Sequence, residues 1–254
     1  MRRLLVNEDL VAQYTPRPVV KGGRRVRCYS LIGQRIREDG MEPRWLDHAR
    51  RIQAIAQTGL HYNPAGFERE RYEKLRDIAA EMFAAGSGAD LERVQDLLEQ
   101  QDGHATPKVD VRGVVFRDER VLLVREYLDE GRWTLPGGWA EINESPGDAT
   151  AREVLEESGW RVRATRLLAL YDRRRHAHPA NVFHIYKVFF QCELLDATPV
   201  TGGGSGASWE ETGDATFFAE EELPQDLSTR RVTRDQLQRF FEMLRNPQLP
   251  ADFD

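Results

Sequence analysis

One stretch, residues 137–160, constrains this chain more than any other. It opens with Gly137 and Gly138, and it continues to Ser145 and Pro146, which suit the N-cap and the first position of a helix. Gly159 can adopt the left-handed conformation that ends a helix. The spacing therefore predicts a short helix over residues 146–158, with a glycine-containing loop on either side.

The two faces of this helix differ in chemistry. One face is predicted by its spacing to pack inward: Ala151, Val154, Leu155 and Ser158. The other carries Glu153, Glu156 and Glu157, three carboxylates that repel one another and raise one another's pKa. Hard divalent cations relieve this repulsion, so the pattern favours Mg²⁺ and then Mn²⁺. A solvated acidic helix face is the alternative reading of the same charges.

Two further residues belong to the predicted site. Arg152 can reach Glu144 with its planar guanidinium and so hold the preceding loop in place. Gly138 leaves room for a backbone carbonyl to approach a metal or a phosphate closely.

This arrangement resembles the Nudix box at every fixed position. Gly138 is followed after five residues by Glu144, and after seven more by the run that begins at Arg152 and ends at Trp160. Trp160 stands where the family usually has an aliphatic residue. The resemblance implies an α/β fold, a mixed β-sheet sandwiched between helices, preceded by a small helical N-terminal domain. It also implies hydrolysis that depends on a divalent metal held by Gly138, Glu153, Glu156 and Glu157.

The pattern along the chain divides it into five parts. We expect a basic, poorly ordered extension, a helical domain, a linker, a hydrolase domain and a tail: residues 1–40, 41–100, 101–107, 108–246 and 247–254. For the extension, a basic arm for nucleic acid or membrane and a true start at Met41 remain alternatives.

The helical domain is predicted to contain three helices, over residues 44–58, 67–83 and 90–100. The first has one apolar face: Trp45, Leu46, Ala49, Ile52, Ile55 and Ala56. The arrangement resembles the N-terminal domain of the Nudix subgroup that cleaves nucleoside diphosphates linked to choline, sugars or similar groups. By that resemblance we expect a homodimer formed through this domain.

Other features limit the partners and the compartment. The net charge of −6 does not favour nucleic acid as a partner, and no apolar run is long enough to span a membrane. Cys28 and Cys192 are far apart, and no signal-peptide pattern opens the chain, so we expect a cytoplasmic protein.

The predicted reaction is attack by water on the phosphoanhydride of a nucleoside diphosphate linked to another moiety. The general base is either a glutamate of the box or Glu211, a loop carboxylate that follows a glycine-rich segment. Arg173 and Tyr171 are the candidate substrate-binding residues, with solvated charge at a strand end as the alternative for the arginine. Three competing functions remain: hydrolysis of ADP-ribose, hydrolysis of an oxidised nucleoside triphosphate, and nucleotide sensing without catalysis.

Overall fold

The computed structural model describes residues 42–62, 64–200 and 212–254, which form two compact units. Of these residues, one unit takes in those up to Pro107 together with Pro179–His184, and the other takes in Lys108–His178 and the described residues from Ile185 to Asp254. The predicted basic extension, residues 1–40, lies outside the described residues. Among the helices that the structure describes, none combines the length and the apolar character needed to cross a membrane.

The helical unit contains α1 (Arg44–His61), α2 (Phe67–Ser87) and α3 (Leu91–Glu99). Its core includes residues from all three helices and from Pro179–His184, which we call the inserted segment: Leu46, Ala49, Ala79, Phe83, Val94, Leu98, Ala180 and Val182. Arg50 of α1 donates hydrogen bonds from Nε to the carbonyl oxygens of Asn181 and Val182, both at 3.1 Å. The inserted segment is therefore part of this unit's core as well as of its surface.

Three details of the helices differ from the sequence prediction. α1 continues through Gly59 to His61, three residues beyond its predicted end. α2 extends beyond Phe83 to Ser87, because Gly88, with φ at +74°, provides the left-handed cap. Ile55 lies outside the core of α1 with 57% of its surface exposed, and Gln53 is buried instead. The buried face of α1 thus passes through residues 46, 49, 53 and 56, a helical spacing in which one position is polar.

The second unit is built on one mixed sheet of eight strands. The strands are β1 (Lys108–Arg117), β2 (Arg120–Glu126), β3 (Arg132–Thr134), β4 (Gly137–Trp139), β5 (Val162–Asp172), β6 (Ile185–Leu194), β7 (Thr212–Phe218) and β8 (Asp252–Phe253). Their main order is β3-β2-β1-β6-β5-β8, while β4 pairs with β1 and β7 pairs with β2. β1 and β6 are parallel, from Lys108 opposite Ile185 to Val115 opposite Cys192.

Helices cover both faces of this sheet. Neighbouring residues of a strand point to opposite faces, and Val115 packs with Val154 of α4 (Pro146–Ser158) whereas Val114 packs with Phe240 of α5 (Arg234–Arg245). The predicted fold class, a mixed sheet between helices preceded by a helical region, is confirmed.

The end of the chain is held against β5. Residues 252–253, which the sequence analysis assigns to a tail, form β8 and pair in parallel with β5. Asp252 accepts two hydrogen bonds from Arg239 of α5, at 2.8 and 2.9 Å, and one from the Tyr171 hydroxyl at 3.0 Å. This contact joins α5, β5 and β8 at one point.

Candidate active site

The acidic helix, α4, begins and ends as its sequence predicts. The Ser145 hydroxyl accepts a hydrogen bond from the backbone N–H of Asp148 at 3.1 Å, and Pro146 occupies the first turn. Gly159 caps the other end with φ at +73°. Ala151 and Leu155, predicted to face inward, are only partly buried, and the fully buried positions are Ala149, Thr150, Val154 and Ser158.

A glycine in β1 lets this helix lie close to the sheet. A Cβ atom at Gly113 would stand 2.3 Å from Cγ2 of Val154, which is fully buried. No side chain fits in that space, so only glycine permits the observed distance between α4 and β1. This packing fixes the depth at which the helix presents its glutamates.

Two of the glutamates converge on residues 135–138, which include the first two residues of β4 and which we call the glycine loop. Glu157 accepts a hydrogen bond at Oε2 from the backbone N–H of Gly137, at 2.9 Å. A Cβ atom at Gly138 would lie 2.9 Å from Oε2 of Glu153, so this carboxylate lies directly against the glycine. The structure therefore brings Gly138, Glu153 and Glu157 together.

Arg152 lies among the remaining carboxylates. Its guanidinium donates two hydrogen bonds to Glu144, Nε to Oε1 at 2.7 Å and Nη2 to Oε2 at 2.9 Å. Its Nη1 lies 2.6 Å from Oε1 of Glu153 and 3.3 Å from Oε2 of Glu156. This one side chain thus ties the loop that carries Glu144 to the helix and neutralises part of the acidic face.

Burial sets the electrostatics of the glutamates. Removal from water raises the pKa of Glu157 well above its ordinary value, and the neighbouring Glu153 raises it further, whereas Arg112 acts in the opposite direction. Burial also raises the pKa of Glu153, which Arg152 opposes and Glu156 reinforces. Two partly buried carboxylates that hold each other's pKa high form a site that a cation would stabilise.

The donors fit a divalent cation by their chemistry. They are hard carboxylate oxygens close to Gly138, and carboxylate and backbone carbonyl oxygens are the ligands that Mg²⁺ and Mn²⁺ prefer. Within the described part of the chain, however, no three His, Cys, Asp or Glu side chains are already arranged around a common metal position. Arg152 contacts Glu153, and Glu157 accepts a hydrogen bond from the Gly137 N–H, so a cation shared by the two carboxylates would require these side chains to reorient.

The predicted substrate-binding residues lie at the end of β5. Tyr171 is 7% exposed, and its hydroxyl donates to Asp252. Arg173, 5% exposed, begins the 3₁₀ turn Arg173–Arg175. Burial lowers the pKa of both Lys187 and His178, and the charge of Arg173 lowers each of them further. The structure thus places Arg173 near these two groups. Glu211, the loop candidate for the general base, falls outside the described residues.

The site predicted from the sequence did not include three buried ionic residues near the glycine loop. Asp110 and Arg112 of β1 and Lys187 of β6 are buried in the hydrolase unit, and Arg112 donates from Nη1 to the carbonyl oxygen of Leu135 at 3.1 Å. The signal available in the sequence was the presence of charged residues inside two otherwise apolar strands.

Comparison with known proteins agrees with this geometry. Residues 106–240 match the model of the NUDIX domain, and residues 43–98 match a model described as a UDP-X-like, N-terminal oligomerisation domain. The chain therefore belongs to the Nudix hydrolase family, as the resemblance of its box implies. It is an enzyme of the pyrophosphatase class, and hydrolases of this family generally use divalent metals.

Individual relatives cover both units. YjhB of Bacillus subtilis (strain 168), provisionally named an ADP-ribose pyrophosphatase, is 44% identical over 214 residues, which are 84% of this chain and 99% of YjhB. A crystal structure of a UDP-X diphosphatase is 33% identical, covers 83% of this chain and 98% of its own, and superposes with a TM-score of 0.50. An ADP-ribose pyrophosphatase of Methanocaldococcus jannaschii is 28% identical over 46% of this chain and 65% of its own length.

Proposed function

We propose that this protein hydrolyses the phosphoanhydride of a nucleoside diphosphate linked to another moiety, such as CDP-choline or a UDP-X compound. The products are a nucleoside monophosphate and X-phosphate. The observation that carries the proposal is the convergence of Glu153 and Glu157 on the Gly137–Gly138 loop, with Arg152 joining that helix to Glu144. The UDP-X-like model over residues 43–98 and the similarity to a UDP-X diphosphatase support this class of substrate.

The cation would be held by the Gly138 carbonyl and by Glu153, Glu156 and Glu157. When bound, Mg²⁺ or Mn²⁺ supplies neutralisation of the phosphate oxygens and a lowered pKa for the attacking water. The bidentate contact of Arg152 with Glu144 keeps the loop over residues 139–145 fixed relative to α4.

The attacking water loses its proton to a carboxylate. A glutamate of the box is one candidate for this general base, and Glu211 is the loop alternative. The water oxygen bonds to phosphorus and the bridging P–O bond breaks, so the leaving phosphate takes the electron pair. Arg173 would bind a phosphate or the X group. Because the Tyr171 hydroxyl is bonded to Asp252, we assign Tyr171 to holding the strand end that precedes Arg173.

ADP-ribose is the second candidate substrate. It is favoured by the names of YjhB and of the Methanocaldococcus jannaschii relative. ADP-ribose is itself a nucleoside diphosphate linked to a sugar, so the same site could cleave it. The two candidates differ in the group that is recognised and not in the bond that is broken.

A phosphate-release screen coupled to a phosphatase tests the proposal. It should include CDP-choline, UDP-sugars, ADP-ribose and nucleoside triphosphates, each with Mg²⁺ and with Mn²⁺. The wild-type protein should turn over one diphosphate-linked nucleotide, and Glu156→Gln should lower its kcat by orders of magnitude with the fold intact. Glu92→Gln on α3 removes the same charge from an exposed position of the helical unit and should leave kcat unchanged. Metal binding without turnover of any compound would instead support a nucleotide sensor.

We also propose that the protein is a homodimer through its helical unit. The matching model is described as an oligomerisation domain, and α1 and α2 expose large apolar side chains: Ile55, Phe67 and Ile78. Light scattering should give the mass of a dimer, and Phe67→Glu should weaken it. Leu195→Glu, at an exposed position of the hydrolase unit, is the matched control. A wild-type monomer with full activity would contradict the proposal.

A further inference from the structure

A buried ionic cluster lies within the hydrolase unit, on the face of β1 that also carries Val114. Arg112 donates to Asp110 through two hydrogen bonds, Nε to Oδ1 at 2.7 Å and Nη2 to Oδ2 at 3.1 Å. Lys187, from the parallel strand β6, places Nζ 3.0 Å from the same Oδ2. We name these three residues the strand cluster.

Lys187 cannot reach a substrate from this position. Its side chain is 0% exposed, and its Nζ, although within ion-pair distance of Asp110, has no aligned hydrogen-bond partner among the residues that the structure describes. A buried cation is costly unless an anion compensates for it. Lys187 therefore acts through the carboxylate of Asp110 or not at all.

Asp110 is held as an anion between two cations. Burial alone would raise its pKa, but Arg112 and Lys187 outweigh burial, and the pKa falls well below its ordinary range. An ionised Asp110 receives both hydrogen bonds of Arg112 and so fixes the plane of that guanidinium. Lys187 is thus linked to Arg112 through one intermediate group, Asp110.

Arg112 in turn contacts the loop of the active site. Its Nη1 donates to the carbonyl oxygen of Leu135, two residues before Gly137, at 3.1 Å. Its backbone lies opposite Gly137 in the pairing of β1 with β4, and the Gly137 N–H donates to Glu157. A series of direct contacts therefore leads from Lys187 to the glycine loop and to a glutamate of the box.

We propose that Lys187 is a positioning residue, which through Asp110 and Arg112 holds residues 135–138 in place beside Glu157. The inference rests on the proposed function, because it assigns the loop and Glu157 to the reacting site. Lys187 itself contacts neither substrate nor metal.

The first test needs neither metal nor substrate. Amide hydrogen exchange is measured on the metal-free full-length protein, for a peptide that spans residues 135–139. Lys187→Met keeps an unbranched apolar side chain in the buried space and removes the charge, and it should speed exchange of this peptide several-fold. Exchange in α1 and α2 should stay as in wild type. Lys74→Met, at an exposed site of α2, is the matched control and should change neither region.

The second test separates positioning from substrate binding. Lys187→Met should lower kcat roughly 10- to 100-fold, the usual effect of removing a group that orients a ligand, with KM little changed. Asp110→Asn, which keeps the shape and removes the anion, should give the same pattern. Lys187→Arg should recover part of the lost kcat.

The outcomes distinguish the two proposals. Unchanged loop exchange together with unchanged kcat in folded Lys187→Met overturns the positioning role. Loss of kcat with loop exchange as in wild type overturns it too, since the effect would then not pass through the loop. If the wild-type protein hydrolyses none of the nucleotides, the proposed function fails, while the exchange experiment still decides whether Lys187 orders the loop.

Discussion

Replacement of Gly113 by alanine tests how closely α4 is packed on the sheet. The added Cβ would lie 2.3 Å from Cγ2 of Val154, 3.4 Å from Cγ2 of Thr150 and 3.5 Å from Sγ of Cys192. The last two distances are close to ordinary contacts, whereas the first overlaps by more than about 1 Å. Overpacking of this kind costs about 1–3 kcal/mol. The higher strand preference of alanine returns only about 0.5–1 kcal/mol, so Gly113→Ala should destabilise the protein.

A second substitution shows whether the clash is the cause. Val154→Ala removes the methyl group in question and alone should cost about 2 kcal/mol, because Val154 is fully buried. In the double variant the new Cβ enters space that Val154 has vacated. Its destabilisation should therefore fall short of the sum of the single variants by at least about 1 kcal/mol.

Urea unfolding followed by tryptophan fluorescence is the assay. Four of the five tryptophans lie after residue 107, so the signal follows mainly the hydrolase unit. Gly147→Ala is the matched control, since a Cβ there would meet Ala164 at 3.5 Å, an ordinary contact. Stability of Gly113→Ala equal to that of wild type, or strict additivity in the double variant, would refute the packing argument.

Three further predictions concern the N-cap of α4, the buried Lys187 and the ion pair of Arg239 with Asp252. Ser145→Ala removes the N-cap of α4 and should cost about 1 kcal/mol in urea unfolding, while no loss would mean that the cap is redundant. Burial lowers the pKa of Lys187 from 10.5 to about 7, so between these values the unfolded chain binds more protons than the folded one. The free energy of unfolding of the wild-type protein should therefore rise from pH 7 to pH 9 relative to that of Lys187→Met, by at most about 1.4 kcal/mol per pH unit. Parallel profiles of unfolding free energy against pH for the two proteins would contradict the lowered pKa. Asp252→Ala and Arg239→Ala should each lower the free energy of unfolding by about 1 kcal/mol, a modest loss because both side chains are partly exposed. The loss in the double variant should be smaller than the sum of the two single losses.

The acidic helix could be predicted from sequence because its determinants are local. Ser145, Pro146 and Gly159 define its ends within 15 residues, and the spacing of the glutamates places them on one face. The contact of Arg152 with Glu144 also follows from short separation along the chain. The mixed sheet was predicted from the family resemblance, because composition and periodicity alone did not specify it.

The strand cluster could not be predicted in the same way. Asp110 and Lys187 are 77 positions apart, and their contact depends on the parallel pairing of β1 with β6. Ile55 shows another limit of sequence-based prediction. Helical periodicity identifies an apolar face, but it does not show which residues of that face contact a neighbouring helix. Residues 181–184 directly precede β6 but belong to the helical unit, a choice that only tertiary packing decides.

The inserted segment Pro179–His184 also affects how the protein is made. Helices α1–α3 end at Glu99, but the core of their unit includes Ala180 and Val182, which the ribosome adds about 80 residues later. The helical unit therefore emerges first and cannot complete its core until β1–β5 have been synthesised. Until then it exposes the apolar surface that Ala180 and Val182 later cover. The order of synthesis thus differs from the order in which this core can be completed. Apolar surface exposed during such an interval is where a nascent chain aggregates or binds chaperones.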